Sequence, residues 1–396
     1  MQVYDLDHAA TTALEPAVLN AMQPYFTQYY GNPSALYSLS DKTREAVWHA
    51  REQIAGCIGA KPEEIYFTAG GSEADNWAWK GVYYQWKKEH RRTSEIPHFI
   101  TTQIEHHAII HTAAFLEEQG AKVTCLPVDE LGHIDLSELE NEIYDHTVLV
   151  SVMAANNEIG TLSPLTAIGK ICRKHQVLFH TDAVQAFGQI PIAVDRMHLD
   201  MMSASAHKLG GPKGCGFLYI RNGTRIENLI HGGGQEQEKR AGTENVAGIV
   251  GLGEAARLAH ENMEQRFRRC VRARDYMMNR IMHEIPFCRV NGDMRNRLCG
   301  NLNMTFQFVN GNSLLGMLDD AGIYASAGSA CNASSHKISH VLEAIHLPRE
   351  LAEGTLRFTI PYDLTRADVD EIVNRLKKIV ALARENNEEY QHLFRK

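Results

Sequence analysis

From Ile65 to Ile220 short apolar, β-branched runs alternate with segments of helical period, and no other feature narrows the possible folds as much. The runs are Ile65 to Thr68, Phe99 to Thr102, Val123 to Leu126, Val148 to Met153, Val177 to His180, Met201 to Ser203 and Phe217 to Ile220. Strand and helix in alternation predict an α/β domain, a mostly parallel seven-stranded sheet wrapped by helices. Ligands of such sheets bind beyond the carboxyl ends of the strands. Past about Asn245 the rhythm changes. A long amphipathic stretch to Ile285 precedes Asn301 to Phe308, a helix around Ser313 to Ala321, Leu356 to Ile360 and a charged helix from Arg366. That pattern predicts a smaller α+β domain.

Length agrees, since 396 residues exceed one ordinary core at roughly 100 to 200 residues per domain. A net charge of -8 argues against sequence-independent nucleic-acid binding. The opening residues lack a basic start followed by an apolar run, and no stretch approaches the roughly 18 apolar residues of a membrane helix. The expected compartment is therefore cytoplasmic. Eight cysteines include no C-x-x-C pair and no nearby ligand set, so neither a disulfide framework nor a metal site is expected. His336 and His340 share one helical spacing but make only a single pair.

One stretch carries reactive chemistry. Lys208 follows Ser205-Ala206-His207 and precedes Leu209-Gly210-Gly211-Pro212-Lys213-Gly214, where the backbone turns tightly beside something bulky. Asp182 ends the strand one βαβ unit earlier. A lysine able to form a Schiff base, with a carboxylate to keep a pyridine nitrogen protonated, suits pyridoxal 5'-phosphate. Gly70-Gly71-Ser72 closes a strand turn and opens a helix, whose backbone N–H groups and dipole favour a phosphate.

Further segments extend the pattern: Leu6-Asp7-His8-Ala9-Ala10-Thr11-Thr12, Gly31-Asn32-Pro33-Ser34, Phe67-Thr68-Ala69-Gly70-Gly71-Ser72-Glu73-Ala74, Asn156-Asn157-Glu158-Ile159-Gly160, Gly232-Gly233-Gly234-Gln235-Glu236 and Gly328-Ser329-Ala330-Cys331. In these the chain resembles, from end to end, the cysteine desulfurases, pyridoxal phosphate enzymes of fold type I. The resemblance implies a large cofactor domain over 14–255 and a small α+β domain from 1–13 and 256–396, with the site in the cleft between them. It implies that Lys208, His106 and Cys331 are catalytic, with His106 stacked on the pyridine. Gly71, Ser72, Ser205 and His207, with Thr243 from a second subunit of a homodimer, would hold the phosphate. Asp182 would face the ring nitrogen, Gln185 the phenolic oxygen and Asn157 both cofactor and substrate. Arg357, between Leu356 and Phe358 in a strand, must reach solvent or an anion; a substrate carboxylate held bidentately fits.

Cys331 lies in a run of small residues, Ala325 to Ser335, which reads as a mobile loop. By resemblance its thiolate takes sulfur from L-cysteine, leaving L-alanine and a persulfide for an acceptor protein such as an iron–sulfur scaffold or a thiolation relay. The loop's length up to His340 matches the long-loop subgroup. Selenocysteine as substrate stays open. The rivals are another class V reaction, an aminotransferase or β-lyase, which needs Lys208 and Asp182 but not Cys331, and a non-catalytic scaffold. Cys57, Cys125 and Cys172 read as small buried hydrophobes. Cys270, after Arg266-Phe267-Arg268-Arg269, sits where basic neighbours would depress its pKa. The loose match Gly251-Leu252-Gly253-Glu254-Ala255-Ala256 lies inside a helical period, so it reads as close packing rather than a dinucleotide turn. After Arg357 the family's Ser-Leu-Gly-like turn is replaced by Phe358-Thr359-Ile360-Pro361-Tyr362.

Overall fold

A computed structural model describes residues 2–92, 94–327, 338–385 and 387–393. The seven expected runs form one sheet: β2 (Ile65–Thr68), β3 (His98–Thr102), β4 (Lys122–Leu126), β5 (Thr147–Ser151), β6 (Leu178–Asp182), β7 (Met201–Ser205) and β8 (Gly216–Ile220). Their spatial order is β2-β8-β7-β6-β5-β3-β4. Every pairing is parallel except those of β8, which runs antiparallel to β2 and β7. The strand β7 is buried throughout, as a sheet covered on both faces requires. The carboxyl ends of β2, β3, β5, β6 and β7 therefore point to one edge.

Two larger apolar cores separate the chain into two bodies. The first joins the sheet to helices Asp41–Ile58 and Val246–Glu261 and includes Ile54, Phe179, Phe217 and Leu252. The second holds Met277, Phe306, Phe358 and Leu376 together with Tyr4 and Leu6 from the start of the chain. Its sheets are β12-β10-β9, from β9 (Cys288–Val290), β10 (Asn301–Phe306) and β12 (Thr355–Thr359), and the parallel pair β1 (Tyr4–Asp5) with β11 (Ile323–Tyr324). A division at 14–255 remains a proposal. Because Ala256 and Ala259 pack in the first core, we would carry it to the end of the helix at Glu261.

The long amphipathic stretch is two helices, Val246–Glu261 and Met263–Glu284, broken at Asn262, whose backbone leaves the helical region. The glycines before that break are packing residues, as read. A Cβ on Gly251 would meet Met22 Sδ at 2.6 Å and one on Gly253 would meet Ala50 Cα at 2.8 Å. No helix among the described residues is long and apolar enough to cross a membrane.

Candidate active site

Each converging strand end delivers one part of the site. After β2 come Gly71 and Ser72 at the start of helix Gly71–Glu89, and after β3 comes His106 at the N-cap of helix His107–Glu118. The turn after β5 carries Asn157, β6 ends in Asp182, and β7 runs through Ser205 into the 3-10 turn Ala206–Lys208. Of the residues expected at the site, all but Thr243 and Cys331 line a single cavity of about 230 Å³. Cys331, like His336, lies outside the described residues. Thr243 is exposed and away from the cavity, so one chain does not bring it to the others.

The reactive amine is held from below by the start of the chain. Lys208 Nζ donates to Ala9 O at 2.5 Å and to Ala10 O at 2.8 Å. Gln185 Nε2 also donates to Ala9 O, at 2.9 Å, so one of its two amide protons is already engaged. Thr12 and Thr11 strap the same turn, Thr12 Oγ1 donating to His207 O at 2.9 Å and Thr11 Oγ1 lying 3.1 Å from His207 Nδ1. The opening motif was legible, but its use of backbone carbonyls was not.

Electrostatics gives the polar groups distinct states. His106 Nδ1 accepts from Ala108 N at 3.1 Å, which places the proton of the neutral ring on Nε2. Burial pushes the His106 pKa down, Lys208 adds to this, and Asp182 opposes it. Burial pushes Asp182 up while His106 and Lys208 counteract it, and its Oδ1 accepts from Val184 N at 2.8 Å. A buried carboxylate in this position favours a cation opposite it. His207 is pushed down to about 4 by burial, then by Lys208 and Lys213, so it is a neutral donor.

Sequence reasoning missed Asp75. It lies one helical turn beyond Gly71, is 1% exposed and lines the cavity. Donor atoms of Asp75, His106 and Asp182 lie within 4.8 Å of one another. Burial first, then the Asp182 charge, raises the Asp75 pKa well above the carboxylate range, and its Oδ1 has no hydrogen-bond partner among the described residues. The signal was a carboxylate on an otherwise apolar helix face beside Ala74, Trp77 and Ala78.

Arg357 is fully buried and has found an anion, the carboxylate of Asp7 at 2.6 Å. Its Nη1 donates to Asn157 O at 3.0 Å. Asn156 is structural: its Nδ2 donates to Ile104 O, and its Oδ1 accepts from Glu158 N and Ile159 N. The departure after Arg357 also has a use. Tyr362 donates to Glu15 at 3.0 Å and its ring lies 4.4 Å beneath the Arg266 guanidinium, walling a second cavity of about 280 Å³ that Lys208 also lines.

Two readings of cysteines need correction. Cys125 is exposed, because β4 is the edge strand. Cys270 is pushed up rather than down, by the neighbouring Cys299 thiol and by burial, since its side chain points inward from the basic face. His107 and His111 stack at 5.0 Å, and His340, at 4.8 Å from His107, bonds through Nε2 to Glu105 O at 3.0 Å.

The cavity fits pyridoxal phosphate on its own geometry. A Cβ on Gly71 would come within 2.5 Å of Val184 Cγ2, so the glycine keeps the phosphate end open beside the helix N-terminus and Ser205. The carboxylate ends β6, and the amine lies in the turn that follows the adjacent strand β7.

Comparison with known proteins agrees. The family described as Aminotransferase class-V matches residues 3–372. The protein named cysteine desulfurase IscS from Clostridium botulinum strain Hall is 51% identical over 386 residues, covering 97% of this chain and 96% of the relative. The protein of the same name from Methanosarcina thermophila is 47% identical over 375 residues, covering 95% and 91%. A solved structure titled NifS-like protein superposes with a TM-score of 0.90 at 34% identity, covering 96% of this chain and all of the other. Another, titled SspA in complex with cysteine, gives 0.80 at 37% identity, covering 91% and 99%. With this cavity and these relatives, the chain belongs to the cysteine desulfurases, pyridoxal phosphate-dependent enzymes of the class-V aminotransferase family.

Proposed function

We propose that the protein removes sulfur from L-cysteine, releasing L-alanine and leaving a persulfide on Cys331 for transfer to an acceptor protein. The observation that carries this reading is the anchoring of the chain on either side of residues 328–337. On one side Ser326 pairs through its backbone with Arg357; on the other Ser339 Oγ donates to Glu158 at 2.6 Å and His340 bonds to Glu105 O. Arg357 lines the cavity that contains Lys208, as do Asn157 and His106, the sequence neighbours of Glu158 and Glu105, so the described chain on each side of 328–337 is tied to that wall. Substrate choice draws support from similarity to the structure titled as a complex with cysteine.

When bound, pyridoxal phosphate supplies an aldehyde for an amine and a ring that takes up the electrons of a broken Cα–H bond. Lys208 Nζ supplies the amine and then receives the Cα proton. Gly71, Ser72, Ser205 and His207 would bind the phosphate, and Asp182 would keep the ring nitrogen protonated. Arg357 and Asn157 would orient the amino-acid carboxylate, while His106 Nε2 would offer a proton. Only about 3% of a free thiol is ionised at pH 7, so Cys331 needs a neighbouring base. Its thiolate attacks the substrate sulfur, the S–S bond forms, the C–S bond breaks, and protonation of the carbon completes alanine.

The second copy is part of this proposal. Thr243 is exposed, and the same chain exposes Phe26, Tyr30, Leu36 and Tyr37, with Leu36 at 99%. Apolar surface of that kind favours association, and a homodimer would bring Thr243 to the partner's phosphate. An iron–sulfur scaffold is the acceptor we favour, with the compartment cytoplasmic. Cys331→Ala tests the reading: alanine formation from cysteine should collapse while the bound cofactor keeps its visible absorption. Undiminished turnover would remove Cys331 from the reaction.

A further inference from the structure

The second cavity contains two thiols that the proposed reaction does not use. Cys270 comes from helix Met263–Glu284 and Cys299 from the loop before β10, and both line this cavity with Lys208, Glu15 and Arg266. Each thiol is buried and faces the same space. Cys270 Sγ also donates to Ile360 O at 2.8 Å. The backbone that carries Cys299 is pressed against its partner: a Cβ on the adjacent Gly300 would lie 2.5 Å from Ile360 O and 3.1 Å from Cys270 Sγ.

We propose that Cys270 and Cys299 form a redox-active dithiol, which a hydroperoxide entering the second cavity converts into a disulfide. The thiols are unequal in the manner such chemistry requires. The neighbouring Cys270 thiol and the Arg274 charge move Cys299 toward the thiolate against its burial. Every other described cysteine is shifted the opposite way. The Cys299 thiolate attacks one peroxide oxygen, forming an S–O bond as the O–O bond breaks and hydroxide leaves. Cys270 sulfur then attacks the oxidised sulfur; the S–S bond forms, the S–O bond breaks, and the departing hydroxide takes the Cys270 proton. Two thiols are oxidised, one hydroperoxide is reduced, and hydrogen peroxide would yield two waters.

Oxidation would reach the main site through the backbone. Ile360 O loses its Cys270 donor, and Ile360 N is itself bonded to Gly300 O at 2.8 Å, three residues beyond Arg357. The cross-link would thus act on the end of the strand that carries the carboxylate-binding arginine.

The test uses the cofactor-loaded protein with Cys331→Ser, so that the sulfur carrier does not react, exposed to hydrogen peroxide and then alkylated. Peptide mass mapping without reductant should find residues 270 and 299 joined with the loss of two hydrogens, reversed by dithiothreitol. Cys299→Ser should abolish the linked peptide, with Cys299→Ala as a second variant and bound-cofactor absorbance to verify folding. Cys270→Ser should leave Cys299 as a sulfenic acid, giving at least a fivefold gain in dimedone labelling. Both residues still alkylated as free thiols, or Cys299 oxidised further while Cys270 stays reduced, would overturn the proposal. Neither result depends on turnover, so failure here leaves the desulfurase reading untouched.

Discussion

Arg357 Nη2 lies 2.6 Å from Asp7 Oδ1, joining β12, the last strand of the small body, to the opening of the chain. Its Nε has no hydrogen-bond partner among the described residues. A substrate carboxylate must therefore share the guanidinium with Asp7. Lysine keeps the charge and loses the planar fork. For Arg357→Lys we expect the KM for cysteine to rise about ten- to hundredfold with the cofactor band intact. Initial rates across cysteine concentrations measure this, and an unchanged KM would remove Arg357 from substrate binding.

Gly71→Ala should weaken cofactor binding at least tenfold, because the new methyl group meets Val184 Cγ2 at 2.5 Å. Adding Val184→Ala vacates that space and should recover most of the loss. Titration of the cofactor-free protein, followed by absorbance, gives both constants. Equal weakening in the single and double variants would mean that the clash is not the cause.

His106→Gln should still load cofactor but turn over about a hundredfold or more slowly, the usual scale for losing a positioned acid–base group. The His106 ring also caps its helix through Ala108 N. Far-ultraviolet circular dichroism must therefore show unchanged helicity before the rate is interpreted. Wild-type alanine formation in a folded, loaded variant would exclude His106 from proton transfer.

Glu105 provides a pH test. Burial pushes its pKa up from 4.5 to about 8, against the hydrogen bonds from Met153 N and Thr102 Oγ1. The folded state then holds a proton that the unfolded state releases near 4.5. Its contribution to stability is full below that pH and is lost as pH rises through about 8, a difference on the order of a few kcal/mol. Urea unfolding from pH 5 to 9 should show wild type losing stability relative to Glu105→Gln. Parallel pH profiles would show that Glu105 is not the titrating group.

Local pattern carried the sheet because each strand is a short apolar run closed by polar or glycine residues, and all seven are present. It located Asp182, Ser205 and Lys208 because strand ends can be read from the same runs. It did not reveal Asp7 against Arg357, or Ala9 and Ala10 beneath Lys208, since contacts between residues about two hundred or more positions apart depend on tertiary packing, and backbone carbonyls have no residue signature. Asp75 escaped notice for a related reason: a carboxyl on a helix reads as a solvated face until the helix is docked. The break at Asn262 was hidden because both flanking segments keep an amphipathic period.

The strap formed by residues 7–12 also sets when the enzyme can become competent. Its partners are His207, Gly210 and Arg357, and the strand before it pairs with Ile323 and Tyr324. Residues 7–12 must therefore wait for partners about two hundred to three hundred and fifty positions later in the chain, and such distant pairings form late. A nascent chain that already displays Lys208 would lack its carbonyl cradle until the segment from Ile323 to Arg357 has been made, which keeps a reactive amine from being assembled ahead of the strands that control it.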